Sequence, residues 1–114
     1  MENFIQTEAL PEQMLREGIY ARFVHTEQMT VAHVLLVKGA VLPVHAHIHE
    51  QVTNVIEGEL EMTVDGHTHI CRPGDVVVLP SNVPHGAVAL TECRVIDVFQ
   101  PVREDYRALG AENK

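Results

Sequence analysis

The stretch His45-Ala46-His47-Ile48-His49-Glu50-Gln51 sets three imidazoles and one side-chain amide within seven residues. It follows Lys38-Gly39 and an apolar run through Pro43, so the cluster stands where a strand ends. Histidines at i and i+2 on an extended backbone point to one side, and neutral imidazole is the commonest metal ligand. HxH by itself equally describes two surface histidines on a loop, and the flanking sequence has to decide.

Downstream, Gln51–Glu57 reads as a strand ending at Gly58, and Leu60, Met62 and Val64 alternate with polar residues as on a half-buried strand. Asp65-Gly66 is the strongest turn signal, because a type I′ hairpin needs positive φ at both central residues. The return strand is His67–Cys71, closed by Arg72-Pro73-Gly74; Val76–Leu79, His85–Leu90 and Cys93–Phe99 follow. Upstream, residues 19–25 and 29–37 are rich in Val, Ile, Phe and Leu. Leu10–Leu15 reads as a short helical turn or an irregular edge before Gly18. About nine short strands with turns every 8–12 residues, and no long helix, predict an all-β sandwich or barrel.

Composition bounds what such a chain does. At 114 residues it reads as one domain over 1–114, with a core about 19–103, an N-terminal segment 1–18 and a C-terminal tail 104–114. The core is aliphatic, since hydrophobic residues make up 46% and Trp is absent. A net charge of −8 argues against nucleic acid as a partner, which selects basic patches. No leader and no long apolar run are visible, which predicts a cytoplasmic protein that does not engage a membrane. Cys71 and Cys93 sit inside strand-like runs and read as reduced core thiols.

The spacings carry more. Gly39, five residues, His45-x-His47, three residues, Gln51, six residues, Gly58 form one block; Gly74, five residues, Pro80, four residues, His85 form a second. These blocks resemble the paired motifs of the cupin superfamily, over about residues 33–99. The resemblance implies a small jelly-roll β-barrel with one metal at its mouth, and maps His45, His47 and His85 onto the histidine ligands. Gln51 stands where a glutamate ligand is usual. Glu50 is one residue out of register, which on a strand turns a side chain to the other face. Three imidazoles and one carboxamide suit a divalent ion such as Zn, Ni, Mn, Fe or Co. An amide in place of a carboxylate leaves the ion its full charge and favours an acidic ligand.

HxHxHEQ, VPHG and DVFxPxRED together are similar to a narrower group, the KdgF-type cupins of pectin and alginate breakdown. That resemblance implies opening of 4,5-unsaturated uronate monosaccharides to linear keto-uronates, with Asp97, Phe99 and Arg103 joining the four ligands in the site. It implies a homodimer as well. From the residues alone, Asp97 shares a strand face with Val95 and Phe99, yet it could also lie outside or pair with Arg94 or Arg103. The same ligand set also serves a dioxygenase, another isomerase, or a non-catalytic module that binds a small ligand. The expected partner is a small acidic sugar. His49 is expected at the rim. His67 and His69 are expected on the Leu60/Met62/Val64 face, as satisfied side chains at the barrel end.

Overall fold

A computed structural model describes residues 3–112 of the chain. Ten strands form two antiparallel sheets: β1 (Gln13–Arg16), β2 (Ile19–His25), β3 (Thr30–Leu36), β4 (Val41–His45), β5 (Glu50–Glu57), β6 (Leu60–Val64), β7 (His67–Cys71), β8 (Val76–Leu79), β9 (His85–Ala89) and β10 (Cys93–Gln100). A helix, α1 (Glu104–Glu112), follows. The larger sheet runs β1-β2-β3-β10-β5-β8 and the smaller β4-β9-β6-β7. This is the jelly-roll arrangement expected of a cupin.

Alternation along the strands builds the interior. Ala32, Val34 and Leu36 of β3 face inward, as do Val95 and Phe99 of β10, Val55 of β5 and Leu60 and Met62 of β6. Fully burying one Leu, Val or Phe side chain is worth roughly 1.5–3 kcal/mol, so these positions dominate cohesion. Ala21, Ala32, Ala87 and Ala89 are also buried but short, which keeps the interior from filling completely. The Asp65-Gly66 turn has φ of 48° and 80°, as its sequence demands.

Two elements depart from expectation. Gln13–Arg16 is not a helical turn but an edge strand, paired with β2 through Gln13↔Ala21 and Met14↔Tyr20 and shifting register before Arg16, close to the irregular edge that was the other expectation. The expected tail forms α1, with Glu104 and Asp105 in its first turn, where acids complement the helix dipole. Residues 113 and 114 of that tail, and 1 and 2 of the N-terminal segment, lie outside the described residues. Cys71 and Cys93 are free and buried, as expected of core thiols. No helix among the described residues is long and apolar enough to cross a membrane.

Candidate metal centre

The two sequence blocks meet at one end of the barrel. β4 pairs with β9 through Val41↔Val88 and Leu42↔Ala87, then shifts register so that His45 lies opposite His85. Such a bulge re-aims a side chain, and Gly86 makes room for it. A Cβ at Gly86 would stand 2.9 Å from the Leu42 carbonyl oxygen and 3.1 Å from the Val44 nitrogen. The second block also props up the first. Asn82 N–H donates to the His47 carbonyl at 2.7 Å, and Ser81 Oγ to the Ile48 carbonyl at 2.6 Å.

One ring nitrogen from each of His45, His47 and His85 lies within 4.8 Å of the other two. Each ring is held by its other nitrogen. Nδ1 of His45 donates to the Pro43 carbonyl, Nδ1 of His47 to the His49 carbonyl, and Nδ1 of His85 to the Val83 carbonyl, each at 2.9 Å. A neutral imidazole carries one N–H, so these bonds leave Nε2 of each ring as a lone pair. Burial lowers the pKa of His85 and His47 below 6.5, the nearby Arg103 charge adding to the effect at His47, which keeps both rings neutral at pH 7.

The donor set fits a cation on its own terms. Nε2 of His85 is buried without a hydrogen-bond partner. Nε2 of His47 faces Gln51 Oε1 at 3.1 Å, two acceptors in opposition. The Gln51 amide nitrogen is committed elsewhere, donating to Thr53 Oγ1 at 2.9 Å, so its oxygen is the atom turned to the histidines. The structure therefore brings His45, His47, Gln51 and His85 together, and they are the residues that could hold a divalent ion. Glu50 is exposed, on the opposite face of β5. His49 is not one of the three clustered histidines; its ring meets those of His47 and Phe99 edge-on, at 5.5 and 6.5 Å.

His45, His47, Gln51 and His85 border a cavity of about 550 Å³ that is otherwise largely apolar, with Ala32, Val34, Leu60, Met62 and Val95. Asp97 faces into it from β10, opposite Ala32 on one side and Thr53 on the other. It does not lie outside, and the two arginines it could have paired with have other partners, Arg94 with Glu57 and Arg103 with Asp105. Burial raises the Asp97 pKa to about 6, against the opposing pull of hydrogen bonds from Thr53 and Gln51 and of the Arg103 charge. Arg103 is itself buried. Its Nε and Nη2 form a bidentate pair with Asp105 at 3.0 and 2.8 Å. The guanidinium carbon lies 4.8 Å from the Phe99 ring centre and 3.9 Å from that of Tyr106.

Two cavity residues had no role in the sequence reading. Tyr106 closes the cavity from α1, stacked on Phe23 at 4.9 Å and edge-on to Phe99 at 5.9 Å. Its only sequence signal is the spacing from Arg103, which becomes one helical turn once α1 forms. Thr53 hydrogen-bonds Asp97 Oδ1 at 2.7 Å and carried no signal beyond its β propensity. His67 and His69 do lie on the Met62/Val64 face as expected. β7 is an edge strand, and both are exposed along a further cavity between β7 and β8.

Comparison with known proteins agrees with this geometry. The family model described as a cupin domain matches residues 32–99. The pectin degradation protein KdgF of Dickeya dadantii is 31% identical over 109 residues, covering 93% of this chain and 99% of that protein. The crystal structure of an RmlC-like cupin from Shewanella frigidimarina superposes with a TM-score of 0.88 at 34% identity, covering 93% of this chain and 96% of that one. KdgF from a Halomonas species gives a TM-score of 0.87 at 33% identity, covering 93% and 99%. With paired motifs that fold into one histidine-lined mouth, and a family match across most of the barrel, the chain belongs to the cupin family.

Proposed function

We propose that this protein is a metal-dependent enzyme that opens 4,5-unsaturated uronate monosaccharides to linear keto-uronates. The observation that carries the reading is the juxtaposition of Asp97 with the Gln51 end of the histidine cluster, linked through Thr53 on one cavity wall. Likeness to KdgF proteins over nearly the whole chain supports the substrate class.

The reaction removes the proton of the anomeric hydroxyl, breaks the C1–O5 bond, and protonates C4 of the released enol, leaving a ketone at C5. A divalent ion held by His45, His47, Gln51 and His85 would supply Lewis acidity toward substrate oxygens. Asp97 takes the hydroxyl proton and returns one to C4; it is the carboxylate on the wall between cluster and cavity. Arg103, with two of its N–H groups held by Asp105, presents the others to the uronate carboxylate and is stiffened by the rings beneath it. Phe99 is an apolar wall against the sugar face. Proton NMR of a metal-loaded reaction should show the vinylic C4 hydrogen replaced by a methylene. Its persistence at the uncatalysed rate would end this reading.

The expected homodimer has physical support on the outer face of the larger sheet. Val24, Val31, Val98, Val52 and Val78 oppose one another on five successive strands and point outward. Val76 and Val78 are 56% and 62% exposed, and Ile56 is 48% exposed. Contiguous apolar surface of this kind marks an interaction site. Light scattering should give twice the chain mass for the parent and the single mass for Val52→Asp. A monomeric parent would contradict the pairing.

A further inference from the structure

Thr53 Oγ1 stands between two groups of the proposed site. It accepts from Gln51 Nε2 at 2.9 Å and donates to Asp97 Oδ1 at 2.7 Å. The direction of this chain is set by its ends, since an amide nitrogen only donates and a carboxylate only accepts. A hydroxyl between them has one proton to give, and it goes to Asp97. The side chain is 2% exposed, so water does not compete for it.

With its nitrogen donating to Thr53, and also to the Asp97 carboxylate beside it, the Gln51 amide has one orientation left for its oxygen, toward His47 Nε2 at 3.1 Å and the space between the three rings. The ladder reinforces this. Thr53 and Asp97 are directly opposed on β5 and β10, and Gln51 faces Phe99 one inward position along. We propose that Thr53 is a positioning residue of the metal centre, whose hydroxyl fixes which Gln51 atom meets the ion and where the Asp97 carboxylate stands beside it. The same chain accounts for an amide at position 51. A carboxylate there would compete with Asp97 for a single hydroxyl proton, and one of the two would lose its partner.

The inference rests on Gln51 as a metal ligand but not on the uronate reaction, so its test reads metal binding. Thr53→Val keeps the branched shape and removes the hydroxyl; Thr53→Ser keeps the hydroxyl. Co²⁺ affinity of the full chain is measured by competition with a chromophoric chelator, alongside the visible spectrum of the Co²⁺-loaded protein. Thr53→Val should bind Co²⁺ roughly 10-fold more weakly, as loss of an outer hydrogen bond to a ligand typically does, with a changed spectrum. Thr53→Ser should restore the parent's affinity and spectrum. Thr53→Ala serves the same purpose if the valine variant does not fold. A folded Val or Ala variant with the parent's affinity and spectrum would overturn the proposal. So would a serine variant as impaired as valine, or a parent that binds no Co²⁺. A parent that binds Co²⁺ but leaves unsaturated uronates untouched would end the ring-opening reading alone.

Discussion

His47 Nε2 and Gln51 Oε1 face each other at 3.1 Å although the single proton of a neutral His47 is already spent on the His49 carbonyl. Two lone pairs so placed repel unless a positive charge lies between them. The arrangement is therefore that of a donor set suited to a cation, and His85 Nε2, buried without a hydrogen-bond partner, completes it.

The protein should bind one divalent transition-metal ion per chain, with the four donor atoms at about 2.0–2.3 Å. Elemental analysis of metal-equilibrated protein checks the stoichiometry. His85→Ala should reduce the bound metal to background without unfolding the barrel. Full metal content in that variant would mean that the ion sits elsewhere.

Gln51→Glu should hold metal more tightly, because a carboxylate adds charge to the donor set. It should also open unsaturated uronates more slowly, by roughly 10-fold or more. The new carboxylate lowers the Lewis acidity of the ion and draws the Thr53 proton away from Asp97. Turnover at the parent's rate would refute this account of the amide.

Gly86 has no side chain because the bulged strand that carries His45 passes over it. Gly86→Ala should force the Leu42 carbonyl away, costing about 1–3 kcal/mol of stability as overpacking does. It should also weaken metal binding, since His45 and His85 are paired through this crossing. Denaturant melts and a metal titration on the same preparation measure both. A variant with unchanged metal affinity would show that the bulge does not set the His45 position.

Much of this architecture was legible because turn residues bound short runs rich in β-branched and apolar residues. β2, β7 and β8 have the bounds expected of them, and the ligands follow from motif spacing. β1 was not legible, because Gln13-Met14-Leu15-Arg16 contains no β-branched or aromatic residue to mark a strand. α1 was not legible as a helix and was expected as a tail, although Glu104-Asp105 suit a helix's first turn. Its anchoring depends on Tyr106 meeting Phe23 and Phe99, which are far away along the chain. The sequence offered Asp97 as a partner for Arg103, and the pair with Asp105 two residues on went unread. Thr53 was hidden for a related reason. Its role exists only in the register of β5 against β10, and its partner Asp97 is 44 residues away.

The most direct test follows the ultraviolet absorbance of the conjugated C4=C5 bond of an unsaturated uronate as it is lost. Metal-loaded parent protein should remove it far faster than spontaneous opening, and chelation should abolish the acceleration. Asp97→Asn, which keeps its size but cannot accept a proton at neutral pH, should lower kcat by roughly 10²-fold or more while the protein keeps its metal. No acceleration by the parent, with several metals and with uronates from both pectin and alginate, would contradict the account. An Asp97→Asn variant that retains metal and full activity would remove Asp97 from the chemistry.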